Sequence, residues 1–338
     1  MKSFITLSGI LAALSIASAP TVLAQGEPLQ IYWIDVEGGS STLIVTPGGD
    51  SVLMDAGWNR EDARDARRIE AAMQDAGVTD IDYFIASHFH GDHVGGTPAI
   101  AQRVQINQFL DHGDSVEQDS ERGRPAWEAY LSAAQGKRRT VRPGDTLALS
   151  GVNFRFVAAN REIVAPRGAG PNEHCGNPMV PEDLGENSRS VGYQVTLGEF
   201  EFLDLGDMTV DVQQTVACPE NRLGVVDLLQ APHHAQGVAP ELVWALQPTV
   251  AVSNNGATKG GRAEDLATLK RIPGLQGLWQ VHRATGASDE ENTFADLMAN
   301  LTAEDDQGYW IKATVDASGE RYTLTNGRNN YSQPYSTK

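Results

Sequence analysis

Apolar and polar positions along this chain fall into short alternating runs first and into strand–helix repeats later. Residues 30–37 and 41–46 read as strands broken by Gly38-Gly39, Pro47-Gly48-Gly49-Asp50 as a turn, and 51–55 as a third strand, together a β-meander. Between 60 and 75, Ala63, Ala66, Ile69, Ala72 and Met73 recur at three- and four-residue spacing, which predicts a helix ended by Gly77. An apolar strand at 81–86 runs straight into a polar cluster, and short helices are expected at 97–103 and 126–134. Residues 104–190, rich in Gly, Pro, Asn and charge, read as a strand-bearing insertion with loops able to wall a substrate site. A hairpin follows at 193–197 and 200–203, then a buried strand at 225–229. Helices at 240–246 and 262–271 then alternate with strands at 249–253 and 278–281, and a hairpin at 310–315 and 321–325 closes the chain. Strands first and alternating units after, twice over, predict an α/β protein with two β-sheets packed between helices. Neither a repeat nor a linker divides it, so one domain over 25–338 is expected.

Composition narrows the function classes. The 338 residues carry 26 Lys plus Arg against 44 Asp plus Glu, a net charge of −18, with 41% hydrophobic residues. That is enough apolar material for a core, so disorder is excluded as the main state. The acidic balance argues against strong duplex nucleic-acid binding, which leans on Lys and Arg. Residues 1–24 read as a secretory signal peptide: Lys2, an apolar stretch over 4–16, and a small-residue cleavage site before Gln25. The alternative is an uncleaved anchor. The expectation is an exported protein, periplasmic or extracellular, with no membrane attachment after cleavage. Export would let Cys175 and Cys218 pair, closing a loop worth roughly 4 kcal/mol. Free thiols, or a thiolate metal ligand at Cys175 beside His174, are the other readings.

The polar cluster is Ser87-His88-Phe89-His90-Gly91-Asp92-His93. His88 and His90, one residue apart, can bite one ion, and Asp92 and His93 then turn toward a second position. Three imidazoles and a carboxylate are expensive to bury unpaired, and a divalent cation gives them a reason to converge. The expected ion is Zn²⁺, one or two per chain, with Mn²⁺ and Fe²⁺ as alternatives.

The intact His-x-His-x-Asp-His pattern resembles that of the metallo-β-lactamase superfamily. The resemblance implies a four-layer αββα sandwich of two mixed sheets and extends to three further motifs. Asp55, in Leu53-Met54-Asp55-Ala56-Gly57, matches an acid that braces the histidine loop; Asp207, in Leu205-Gly206-Asp207, matches a carboxylate that bridges two metals. Pro232-His233-His234 matches the motif that supplies a histidine to the second ion, for which His234 is the favoured ligand and His233 the alternative. Within the superfamily the chain is most similar to the metallo-β-lactamase domain of DNA-uptake competence channels. That likeness rests on Ile34-Asp35-Val36-Glu37-Gly38-Gly39, Ile44-Val45-Thr46-Pro47-Gly48-Gly49, Glu186-Asn187-Ser188-Arg189-Ser190-Val191 and His233-His234. It implies a free-standing, exported relative. One departure stands out: two-metal members carry another histidine before the Gly-Asp hairpin, and here that region reads Asn187-Ser188. The first metal position then has His88, His90 and Asp207 from protein, with His174 as a potential substitute, and a one-metal enzyme is open.

The resemblance implies a metal-dependent hydrolase using a zinc-bound hydroxide, with Asp92, Asp207 and Asp55 in the catalytic apparatus. A phosphodiester is the favoured substrate, as a small molecule or short oligonucleotide. Lactones, esters and β-lactams are alternatives on the same site. Asn187, Ser188, Asn255 and Lys259 are candidates for substrate contact, the last two because the glycine-rich run Asn254–Gly261 follows a predicted strand. The bland reading of that run is a flexible loop. Lys137-Arg138-Arg139 and Arg142 read as a solvated surface run, and His282 and His112 as structural. Competing readings are a non-catalytic secreted zinc-binding protein and an iron-dependent thiol dioxygenase. No sequence feature speaks to oligomeric state.

Overall fold

Alternation within the strands decides the architecture. In the computed structural model, which describes residues 26–60, 62–166, 170–176, 178–303 and 307–338, six strands open a first sheet. They are β1 (Leu29–Trp33), β2 (Thr42–Val45), β3 (Ser51–Met54), β4 (Ile81–Ile85), β5 (Ile106–Asp111) and β6 (Arg138–Thr140). The next nine build a second sheet: β7 (Thr146–Leu147), β8 (Asn153–Ala159), β9 (Glu162–Ile163), β10 (Gly192–Leu197), β11 (Phe200–Asp204), β12 (Leu228–Gln230), β13 (Val250–Ser253), β14 (Gly277–His282) and β15 (Met298–Asn300). Three more, β16 (Ile311–Val315), β17 (Arg321–Asn326) and β18 (Ser332–Ser336), return to the first. Both sheets are mixed: β3 to β6 run parallel, as do β11 to β15, and the remaining pairs are antiparallel.

Period-two side chains then sort into three apolar layers. Leu29, Ile31 and Trp33 of β1 face the second sheet, where they share a core with Phe154, Tyr193, Phe202 and Leu228. Trp33 and Phe202 meet edge to face across that interface, with ring centres 5.6 Å apart. Tyr32 of the same strand points the other way, into a layer with α1 (Arg64–Ala76), α2 (Gly91–Val94), α3 (Thr97–Ala101) and α4 (Arg124–Ala134). The outer face of the second sheet is covered by α5 (Val210–Ala217), α6 (Pro240–Leu246) and α7 (Ala263–Lys270). The result is the expected four-layer sandwich, helices–sheet–sheet–helices. Each fully buried large side chain contributes about 1.5–3 kcal/mol of transfer free energy.

One expectation changes and one is met. The span 104–190 is not an insertion: β5 and β6 extend the first sheet, and β8 pairs with β10 in the heart of the second. The loop-rich part narrows to the stretch after β9. There Cys175 and Cys218 form a disulfide that ties this loop to the end of α5. The segment read as a signal peptide lies outside the described residues. Among those described, no helix is long and apolar enough to cross a membrane.

Candidate metal centre

Parallel strands deliver their C-terminal ends to one edge, and the loops leaving those ends carry the chemistry. The histidine cluster follows β4, Asp207 follows β11, and His233-His234 follow β12. Four side chains converge: Asp92, His93, Asp207 and His234, whose donor atoms all lie within 4.8 Å of one another. His93 Nε2 stands 3.2 Å from Asp92 Oδ2, 3.2 Å from Asp207 Oδ2 and 3.3 Å from His234 Nε2. His234 Nε2 stands 3.2 Å from Asp207 Oδ2 and 3.6 Å from Asp92 Oδ2. Donors arranged tetrahedrally about 2.1 Å from an ion stand roughly 3.4 Å apart. The four atoms therefore have the spacing, and the nitrogen-and-carboxylate chemistry, of a cage for a divalent cation.

Electrostatics agree. Burial opposes charge on all four groups, yet it is overcome. The imidazoles beside them hold the Asp92 and Asp207 carboxyls well below the usual range. The Asp207 and Asp92 carboxylates push His93 well above the ordinary histidine value, and Asp207 likewise raises His234. The pocket holds its carboxylates ionised and attracts positive charge.

Each cage residue is braced from behind. His93 Nδ1 lies 2.6 Å from Asp55 Oδ2, and Asp55 also accepts hydrogen bonds from the Ser87 N–H and hydroxyl. Asp55 is fully buried and reaches the cage only through His93, so it is a positioning residue rather than a catalytic one. His234 Nδ1 is 3.3 Å from Asn254 Oδ1, and the Asp207 N–H donates to Ser190 Oγ. His233, His234 and Ala235 all adopt left-handed backbone, with φ of 52°, 56° and 58°. Such a run is strained for residues with a Cβ and needs support from its surroundings. The run Asn254–Gly261 supplies it, since the Gly261 N–H donates to His234 O and a Cβ on Gly260 would lie 2.4 Å from that oxygen. That run is thus a packed support for His234. On the opposite flank a Cβ on Gly39 would lie 2.3 Å from Asp92 O, which accepts the Ser40 N–H.

His234 completes the cage. His233 sits at the rim, its Nε2 3.5 Å from Asp207 Oδ2 and 3.3 Å from Asn187 Nδ2. His88 is fully buried; Nδ1 meets Ser87 Oγ at 3.0 Å, while Nε2 has no hydrogen-bond partner among the described residues. Burial, reinforced by neighbouring His93 and His90, holds this ring well below the ordinary histidine value and so neutral. An orphaned neutral imidazole nitrogen is what a cation would satisfy. His90 instead faces Glu117, 3.5 Å away.

The predicted substrate contacts divide. Lys259 reaches Asp92 Oδ2 and lies over the Trp58 ring, which Arg60 also approaches. Asn187 faces His233. Ser188 does not face the cleft: it is buried, and its hydroxyl donates to Gly185 O. Asn255 is likewise buried and donates to Gly256 O and His282 O, so it shapes the loop. His174, the potential substitute ligand, packs edge-on against Trp244 of α6. His282 pairs with Asp35, and His112 with Glu186, both in structural roles. Arg138 is committed to Asp111, Asp114 and the Trp127 ring rather than to solvent alone.

Residues 34–165 match the family model described as the metallo-beta-lactamase superfamily. The match takes in Asp55 and the histidine loop. A curated metal-dependent hydrolase from Cupriavidus taiwanensis is 31% identical over 93 residues, 25% of this chain and 29% of that protein. The chain therefore matches under a third of that relative's length. Among solved structures, the metallo-beta-lactamase fold protein YhfI of Bacillus subtilis is 12% identical with a TM-score of 0.46, covering 85% of this chain and 100% of that one. A metallo-beta-lactamase from Cronobacter sakazakii is 19% identical with a TM-score of 0.34, covering 52% and 61%.

Trp58, Glu117, Glu186 and Asn254 have roles the sequence reading did not assign. Asn254 and Glu186 lay inside quoted motifs, Asn254 directly after a strand; Trp58 and Glu117 had no such signal.

Proposed function

We propose that this metallo-beta-lactamase superfamily domain is a metal-dependent hydrolase acting on a phosphodiester. The observation that carries the reading is the four-donor cage of Asp92, His93, Asp207 and His234, with the unpartnered His88 nitrogen beside it. A bound divalent cation, taken as Zn²⁺, supplies a water acidic enough to ionise near neutral pH and a Lewis-acid contact for the substrate oxygen. The chain does the rest. Asp92 and Asp207 balance the cation's charge, while Asp55 and Asn254 fix the imidazole orientations of His93 and His234. Asn187 and His233 border the rim and offer an amide and an imidazole to the substrate.

A phosphodiester is favoured because two cationic side chains border the cleft in a chain that is otherwise strongly acidic. Lys259 and Arg60 lie 5.5 and 5.4 Å from the Trp58 ring centre, a combination suited to an anion attached to a flat or apolar group. The similarity to competence-type domains points the same way. The overall charge of −18 favours small diesters and short oligonucleotides over duplex. The Cys175–Cys218 disulfide and the signal-like segment support export.

The test is a panel of bis-p-nitrophenyl phosphate, short oligonucleotides, lactones, esters and cephalosporins, run on one zinc-loaded sample. Diester turnover that chelation abolishes is expected. Turnover of lactones, esters or cephalosporins alone moves the substrate to that class, and no turnover by a folded, zinc-loaded protein overturns the enzyme reading.

A further inference from the structure

We propose that Glu117 is a metal ligand which, with His88 and His90, forms a second cation site beside the cage and takes the place of the absent histidine. The inference rests on the metal-dependent reading of the same cleft and adds a residue that no superfamily motif in the sequence marks.

Four observations lead to it. First, His88 Nε2 is buried without a partner among the described residues, and a buried polar atom left unpaired is costly unless something occupies its vicinity. Second, His90 Nε2 and Glu117 Oε1 stand 3.5 Å apart, close to the roughly 3.4 Å edge of a tetrahedral zinc site. The His88 and His90 rings are 4.7 Å apart at 78°, so the unpartnered imidazole neighbours the one that reaches Glu117. Three protein ligands with an open position is the pattern of a catalytic zinc.

Third, Glu117 is held in place at its backbone. Its N–H donates to Ser115 Oγ at 3.1 Å and its carbonyl accepts the Ser120 N–H at 2.9 Å. A Cβ on Gly123 would lie 2.6 Å from Glu117 Cβ, so the following turn is closed against it. Fourth, one buried carboxylate ties this loop to the histidine loop. Glu186 accepts from Ser115 Oγ and the Val116 N–H, both at 2.6 Å, and from the N–H of Phe89, which lies between His88 and His90, at 3.2 Å. Glu186 immediately precedes Asn187-Ser188, where two-metal relatives place their histidine. A Cβ on Gly185 would come within 3.9 Å of Glu117 Oε1. The carboxylate thus lies alongside the segment from which the missing imidazole would have projected.

A plain ion pair between Glu117 and a protonated His90 is the competing account, and metal titration separates the two. Chelator-stripped protein is titrated with Zn²⁺ by calorimetry, and with Co²⁺ followed by its visible absorption. The wild type takes up two equivalents. Glu117→Gln keeps the first and binds the second at least tenfold more weakly, with the matching loss in the Co²⁺ spectrum. Glu117→His, which restores the imidazole, again takes up two. Glu117→Gln binding two equivalents with wild-type affinities overturns the proposal. So does a wild type that binds one equivalent with a spectrum unchanged in Glu117→Gln; if that one-metal protein still turns over diesters, the hydrolase reading stands while this one falls.

Discussion

The cage of Asp92, His93, Asp207 and His234 and the neighbouring pair of His90 and Glu117 lie in one cleft but are built differently. In the cage, His93 and His234 side chains are fully buried and Asp207 is 4% exposed; both imidazoles and the Asp207 main chain are held from behind. His90 and Glu117 are 26% and 29% exposed, and Glu117 comes from a loop. A closed, prepaid arrangement of donors binds a cation tightly because little is ordered on binding, whereas an open one exchanges its ion and leaves room for substrate. Under the proposed function the difference is a division of labour: the buried half would retain metal and the open half would meet the substrate.

Breaking the buried half should have the largest effect. Asp207→Asn removes a cage donor with little change in shape, and diester turnover should fall by more than the 10–100-fold typical of losing a residue that merely orients a ligand. Steady-state kinetics at saturating zinc checks this; near wild-type rates would place the metal elsewhere. Asp55→Asn leaves all four donors but loosens His93. It should weaken the tighter ion by roughly 10–100-fold, read by calorimetry, with the fold retained by circular dichroism.

The link between the halves is Glu186, and its effect should appear in stability. Burial pushes this carboxyl up, but His112, Ser115 and the Phe89 N–H outweigh it and bring the value to about 2. A carboxyl lowered on folding stabilises above its unfolded value near 4.5 and loses that contribution as pH falls through about 2. Wild type should therefore lose roughly 3 kcal/mol across that window through this group. Glu186→Gln should be less stable at neutral pH and flatter in the same window, measured by denaturant unfolding. Equal slopes would show that the clamp carries no charge-dependent stability.

The smallest effect belongs to the open mouth. Lys259→Ala should raise KM for an anionic diester about tenfold, near 1.4 kcal/mol, with little change for a neutral ester. An equal effect on both substrates would assign Lys259 to holding Asp92 rather than the substrate.

Much of this was legible in the sequence because the signals are local. The first long helix stood out by the three- and four-residue spacing of Ala66, Ile69, Ala72 and Met73, and the hairpin at β10 and β11 by a Gly198-Glu199 turn. The histidine motif reads directly, because its members sit within one loop. What was missed depends on tertiary context. Helix α5 buries Asp211, Gln213 and Gln214, so it shows no clean apolar stripe. Strand β18 contains Pro334 and survives as a sheet edge. Strand β6, Arg138–Thr140, is charged and also lies at an edge, which made its region resemble an insertion. Glu117 and Glu186 belong to an acidic chain with 44 carboxylates, and only the folded loops single them out.

The account rests most directly on one titration. Zinc is added stepwise to chelator-stripped, folded protein, and bis-p-nitrophenyl phosphate turnover is read at each step. The account predicts no turnover without metal and a rise that saturates at one or two equivalents. Turnover that is unchanged in the metal-free protein, or a protein that takes up no zinc, would contradict it.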